Sequence, residues 1–298
     1  MLLGVLTGTT ASGKSALALE FAAARGCEIV GADSRQIYRG FRIGTGQPSA
    51  ADLARAVHRL VDCVPPEENF SAGAFASAVL DLERSSPDVP RVVVGGTGFY
   101  VSALVRGLPP IPPVGADVRA AVLSELRENG VEALHAELSE VDPEAAARLP
   151  LSDARRISRA LEVWRATGRP FSSWKGEAEA PFPDLPVAVL EPSPEENRAR
   201  IAKRVRGMFR AGWREEVEGL LHAGVPESAP AFGSLGYPQV LGLLKGEISE
   251  AEAIETAIAK SAQYAKRQRT YFRGQFPDAV RLDPGSADAA DLARAFGV

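Results

Sequence analysis

The stretch Gly8-Thr9-Thr10-Ala11-Ser12-Gly13-Lys14-Ser15 fits the phosphate-binding pattern G-x-x-x-x-G-K-[ST] at every fixed position. Its flanks suit it. Leu2–Leu6 is a short apolar run that reads as a strand, and Lys14–Ala24 carries the helical pattern that follows. Such a unit forms an anion site, because backbone N–H groups converge on the ligand and the helix dipole favours negative charge. In this reading Gly8, Thr9, Thr10, Ala11, Ser12 and Gly13 wrap a di- or triphosphate. Lys14 reaches the terminal phosphate, and the Ser15 hydroxyl holds Mg²⁺. Nucleotide binding, ATP included, is one expectation; the loop leaves the reaction open.

Strand and helix signals then alternate. Cys27–Gly31 reads as a second strand, with a loop through Asp33 to Tyr38, and Ser71–Arg84 as a helix with Ser71 as N-cap. Arg91–Val94 reads as a third strand, ending in Gly95-Gly96-Thr97-Gly98. This rhythm implies a parallel sheet covered on both faces. The three loops after the strands would share its C-terminal edge, where ligands collect.

Leu108-Pro109-Pro110-Ile111-Pro112-Pro113 breaks the pattern. Four helical stretches follow: Asp117–Asn129, Val131–Glu140, Pro143–Leu149 and Ser152–Thr167. A second proline-rich segment, Pro181–Pro186, closes the block, and Val187–Leu190 returns as a strand. Helical signals resume over Pro194–Ala211, Glu215–Ala223, Glu250–Arg273 and Ala287–Phe296. The expected fold class is α/β: a P-loop NTPase-like parallel sheet flanked by helices, built from residues 1–110 and 186–298. Residues 111–185 form an all-helical insertion domain.

The 298 residues include 45% apolar and 24% charged types, enough for a sizeable core in a globular enzyme. No apolar run is long enough to span a membrane, and the N-terminal residues lack the features of a signal peptide, so a cytoplasmic protein is expected. Cys27 and Cys63 both sit in apolar surroundings and are expected as buried thiols. The three histidines lack metal-ligand spacing.

A net charge of −4 argues against general adhesion to nucleic acid. Basic residues nonetheless cluster in Arg198–Arg214, Lys260–Arg273 and Arg155–Arg169. Solvated helix faces usually mix both signs, so these segments read either as a localised polyanion surface or as three basic faces that bind nothing.

Several side chains stand out beside the phosphate loop. Asp33 could ligate Mg²⁺ through water, act as a general base, or cap a turn with Ser34. The third strand ends in Gly-Gly-Thr instead of the acid by which many P-loop hydrolases organise water, which counts against a motor or switch ATPase. Thr97 could donate to a phosphate, or mark a tight turn. Arg200 and Arg204, four residues apart, share one helix face, and their planar forks suit diphosphate oxygens.

These motifs together resemble the tRNA dimethylallyltransferase (isopentenyltransferase) family, in order and over nearly the whole chain. The resemblance is carried by Gly8–Ser15, Asp33–Gly40, Ile43-Gly44-Thr45, His58-Arg59-Leu60-Val61-Asp62 and Phe70-Ser71-Ala72. It continues through Val94–Tyr100, Arg156–Val163, Leu235-Gly236-Tyr237 and Ala265–Arg273. Two departures are visible. The family pattern G-T-A-K-P is here Gly44-Thr45-Gly46-Gln47-Pro48, and G-Y-[RK]-Q is Gly236-Tyr237-Pro238-Gln239.

The resemblance implies transfer of a dimethylallyl group from dimethylallyl diphosphate to N6 of the adenosine 3′ of the anticodon, in tRNAs reading codons that begin with U. It assigns Asp33 as the base, and Thr97 and Arg204 as further catalytic residues. Lys14, Arg200 and the phosphate loop take the diphosphate. Asp33, Ser34, Arg35 and Gln36 hold the target base. Arg155, Arg156, Ile157, Ser158, Arg159, Lys266, Arg267 and Arg273 meet the anticodon stem-loop. It implies Mg²⁺ on Ser15 as cofactor, a monomer with no obligate protein partner, and an insertion that clamps the anticodon loop. The alternatives are a small-molecule P-loop kinase, a non-catalytic RNA-binding module, and an adenylate isopentenyltransferase acting on free nucleotide.

Overall fold

The structure, a computed structural model, describes residues 1–298. They divide into two units. One comprises Met1–Val105 and Pro181–Val298, the other Arg106–Ala180.

The first unit begins with β1 (Leu2–Gly8), α1 (Lys14–Arg25) and β2 (Glu28–Gly31). The short α2 (Ala50–Arg55), opened by a Ser49/Asp52 capping box, leads to a two-residue strand β3 (His58–Arg59). Then come α3 (Ala72–Ser85), β4 (Arg91–Gly95) and α4 (Gly98–Val105). Ser71 caps α3 by accepting from the Ala74 N–H.

The second unit holds α5 (Ala116–Val141), α6 (Pro143–Arg148) and α7 (Ala154–Thr167). Gly130, at φ 80°, interrupts α5 where the sequence separates two helices. Val122, Leu134, Leu138, Ile157 and Leu161 form its core. Arg165 is clamped between Glu125 (2.7 Å) and Glu137 (2.5 Å).

The first unit resumes with β5 (Val187–Leu190), α8 (Pro194–Arg210), α9 (Trp213–His222), α10 (Tyr237–Leu244) and α11 (Glu250–Gln275). It ends with β6 (Val280–Leu282) and α12 (Ala289–Phe296). The six strands form one all-parallel sheet in the order β3-β2-β4-β1-β5-β6. Its centre is the near-continuous apolar run expected of strands covered on both faces. Val5, Leu6, Val92, Val93 and Ala188 are wholly buried. Helices α1 and α12 cover one face, where Phe21 and Phe296 meet edge to face at 5.7 Å.

The thiol expectation is corrected at one position. Cys27 is buried, but Cys63 is exposed. Its backbone N–H is tied to Ile37 O at 2.8 Å, which buries the neighbouring Val64 and turns the Cys63 side chain outward.

Candidate active site

Strands β1, β2, β4 and β5 end side by side, so the loops that follow them converge. Residues of small volume permit this. A Cβ at Gly8 would lie 2.4 Å from Leu190 O, and one at Gly95 would lie 2.0 Å from Ala32 O. Gly13 caps α1 at φ 100°, and Ala11 holds φ 59°, a conformation a non-glycine residue adopts only where its surroundings impose it.

Side chains from α8 and α11 impose it. Gln268, only 6% exposed, accepts from the Thr10 N–H (2.8 Å) and donates through Nε2 to Gly96 O (2.7 Å), joining the phosphate loop to the β4 loop. Asn197 Nδ2 donates to Thr10 O at 2.8 Å. Arg200 Nη1 donates to Ser12 O at 3.0 Å, and Arg204 Nη2 to Thr45 O at 3.1 Å. Both arginines border a cavity of about 240 Å³ whose floor is the loop from Ala11 to Ser15.

Lys14 is 9% exposed, and its Nζ donates to Thr9 O at 3.3 Å. Burial lowers its pKa from 10.5 to about 8; Asp33 opposes the drop and Arg204 adds to it. Burial also lowers the Arg204 pKa, with Asp33 again opposing. Two desolvated cations beside a loop of backbone N–H groups form a site in need of an anion. The Ser15 hydroxyl is exposed at the same place and borders two cavities. A hydroxyl oxygen at this position of a phosphate loop fits a hard divalent cation completed by phosphate oxygens and water. No group of three or more His, Cys, Asp or Glu side chains forms an all-protein cage.

Asp33 lies beyond Lys14, on the wall of a second cavity of about 220 Å³. Its Oδ1 accepts from the Arg35 N–H (2.9 Å) and the Gln36 N–H (3.4 Å), so the turn-capping reading is realised. Its other oxygen makes no hydrogen bond within the protein and stays available. Gln36 Nε2 donates to Thr45 O (3.2 Å) and Gly46 O (2.8 Å), which fixes the loop that carries the Arg204 acceptor. The cavity is polar at Lys14, Ser15, Asp33 and Gln36. It is apolar at Ala18, Leu19, Ile29 and Val94.

Thr97 is placed differently from the phosphate-donor expectation. Its Oγ1 accepts from the Ser34 N–H (2.9 Å) and donates to Ser34 Oγ (3.3 Å), so it steadies the Asp33 turn and borders neither of these two cavities. The surface cations also sort unevenly. Arg155, Lys266 and Arg267 are exposed and free of carboxylates, whereas Arg273 is paired with Glu191 at 2.6 Å. Arg156 and Arg159 pair along their own helix with Asp153 (3.3 Å) and Glu162 (3.1 Å). Ile157 and Ser158 are corrected as surface contacts: both are buried, Ile157 in the core of its unit, because the apolar stripe of α7 must face α5. Arg35 is exposed and donates to Pro230 O at 3.3 Å.

Sequence reading missed Gln268 and Asn197. Gln268 lay within the quoted Ala265–Arg273 motif, a signal that could have found it; a lone amide in Pro194–Ala211 offered none. Gln47 also has a clear place: its Nε2 donates to Gln36 O and Tyr38 O, both at 2.8 Å.

This is a parallel α/β fold of the phosphate-binding-loop class, with an anion site buttressed by helix arginines and a carboxylate beside it. The family model for IPP transferases matches residues 36–275, and one for isopentenyl transferases matches residues 1–64. The chain is 45% identical over 291 residues to the tRNA dimethylallyltransferase of Rhodopseudomonas palustris (strain ATCC BAA-98 / CGA009), covering 96% of this chain and 90% of that protein. The full-length tRNA isopentenylpyrophosphate transferase of Bacillus halodurans superposes with a TM-score of 0.69 at 29% identity, over 98% of this chain and 93% of that one. A eukaryotic dimethylallyltransferase crystallised acting on tRNA shares the fold, with a TM-score of 0.81 at 22% identity over 98% and 75% of the two chains. The chain therefore belongs to the IPP transferase family and is a prenyltransferase.

Proposed function

We propose that this protein transfers the dimethylallyl group of dimethylallyl diphosphate to N6 of the adenosine 3′-adjacent to the anticodon, in tRNAs reading codons that begin with U. The observation that carries the reading is the juxtaposition of a desolvated phosphate loop and a half-satisfied carboxylate, Asp33, on one partly apolar cavity. The diphosphate occupies the phosphate loop as a leaving group, with Lys14, Arg200 and Arg204 offsetting its growing charge. Mg²⁺ held by Ser15 would supply further charge neutralisation there. The adenine amine attacks C1 of the prenyl chain; the N6–C1 bond forms as C1–O breaks, and the bonding pair leaves with the diphosphate. The free oxygen of Asp33 takes the N6 proton, which a weakly nucleophilic exocyclic amine must lose. Thr97 acts by holding the Ser34 end of the Asp33 turn.

The adenine must leave its stack to reach Asp33, where Ser34, Arg35 and Gln36 border its place. Lys266, Arg267 and Arg155 are the exposed cations for tRNA phosphates, and the helical unit serves as the anticodon-loop clamp. The protein works as a cytoplasmic monomer in this reading. No helix is long and apolar enough to cross a membrane.

The test is transfer from labelled dimethylallyl diphosphate, with Mg²⁺, to unmodified tRNA carrying A-A-A after a U-reading anticodon, with Asp33→Ala and free AMP in parallel. Label in tRNA, absent from AMP and reduced at least about 100-fold in the variant, is the expected result. Label in AMP alone points to the free-nucleotide enzyme, and ATP consumption without transfer points to a kinase.

A further inference from the structure

The run His58-Arg59-Leu60-Val61-Asp62 takes no part in the chemistry above, yet it borders the donor cavity. Its backbone is unusual. Leu60 and Asp62 hold φ 57° and φ 52°, left-handed values that L side chains rarely adopt. The neighbouring turn enforces them. The Asp62 N–H donates to Gln36 O (3.0 Å), the Cys63 N–H to Ile37 O (2.8 Å), and Asp62 Oδ1 accepts from the Gly40 N–H (2.8 Å). Gly31 makes room, since a Cβ there would lie 2.9 Å from Val61 Cγ2. Strain held this firmly has a placed residue as its product, and that residue is Val61.

Val61 faces two cavities at once. One is the 220 Å³ space containing Lys14, Ser15 and Asp33; the other, about 650 Å³, lies towards Ile43, Leu53 and Met208. Gly46, Gln47, Pro48 and His58 share this double exposure, so together they form the partition between the two spaces. Its halves are stitched by one atom. Gln36 O accepts from the Asp62 N–H and from Gln47 Nε2.

We propose that this partition, with Val61 as its apolar face, is the stop that limits the donor's prenyl chain to five carbons. The inference rests on the prenyl-donor reading above. With the diphosphate on Lys14 and Ser15, the smaller cavity offers the chain Ala18, Leu19, Ile29, Val94 and Val61, with Asp52 and His58 as polar neighbours on its wall. A ten-carbon chain on the same diphosphate has to pass that side chain into the larger space. Truncating Val61 joins the spaces; enlarging it shortens the first one.

The experiment is tRNA prenylation by wild type, Val61→Ala and Val61→Ile with dimethylallyl diphosphate and geranyl diphosphate in competition, and inhibition by inorganic diphosphate measured alongside. Val61→Ala should raise the geranyl-to-dimethylallyl ratio of kcat/KM by about tenfold or more, the scale on which apolar pockets discriminate chain length. Val61→Ile should raise KM for dimethylallyl diphosphate severalfold, while inhibition by inorganic diphosphate stays within about twofold. A Val61→Ala ratio within twofold of wild type overturns the inference. So does a Val61→Ile enzyme whose KM is unmoved, or whose loss extends equally to inorganic diphosphate. Wild-type protein that prenylates no tRNA refutes the underlying reading instead.

Discussion

Replacing Lys14 by methionine should stabilise the empty protein while removing its purpose. The lysine pKa falls from 10.5 to about 8, mainly through burial, and at about 1.4 kcal/mol per unit the charged side chain costs the empty fold about 3 kcal/mol at neutral pH. Losing its hydrogen bond to Thr9 O returns about 1 kcal/mol of that, leaving a net gain of about 2 kcal/mol. For a chain of this size the gain is worth roughly 5 °C in Tm. The sign of the pH dependence follows. Between pH 8 and 10.5 the unfolded lysine holds its proton while the folded one has lost it, so wild-type stability rises with pH and closes the gap. Thermal unfolding at pH 7 and pH 10, with and without inorganic diphosphate, reads all of this. Lys14→Met should melt higher than wild type at pH 7, lose most of that lead at pH 10, and gain little from diphosphate. A variant no more stable than wild type at pH 7 would refute the picture of a desolvated cation waiting for an anion.

Three further changes probe the same site. Gly46→Ala places a Cβ 2.2 Å from Arg204 Nη2 at a residue with φ 64°; prenyl transfer should fall about tenfold through kcat if, as proposed, Arg204 offsets charge that develops in the transition state. Gln268→Leu leaves Thr10 N–H and Gly96 O without their partners, and should destabilise the protein by about 1–3 kcal/mol in denaturant titration and raise KM for the diphosphate donor. The double variant Lys266→Ala/Arg267→Ala should weaken tRNA binding and flatten its salt dependence by one to two units of log Kd per log salt, with donor affinity unaltered.

Much of the architecture is legible in the sequence because its signals are local and strong. The phosphate loop, the strand Val187–Leu190 and the Gly130 break in α5 follow from glycine placement and apolar runs. The edge strands β3 and β6, two and three residues long, are too brief to carry a period, and their pairing is decided by the strands beside them. Helices α4 and α10 are short and largely buried, so no polar face marks them as helical. At the site, the phosphate loop and Asp33 are legible from motif and position. The roles of Gln268, Asn197 and Thr97 are not, since each rests on contacts across 63 to 258 residues of chain. Within the basic segments, sequence spacing does not reveal which cations are paired with acids distant in the chain, as Arg273 is with Glu191 and Arg165 with Glu125 and Glu137.

The Gln268 bridge also bears on how the protein is made. The amide that steadies Thr10 is 258 positions downstream of it, and the β1 partner strand β5 follows the whole helical unit. During synthesis the first element to emerge is therefore among the last to be finished. A growing chain carries a phosphate loop without its Gln268 brace until α11 has been made, so the loop is completed only when nearly the whole polypeptide exists.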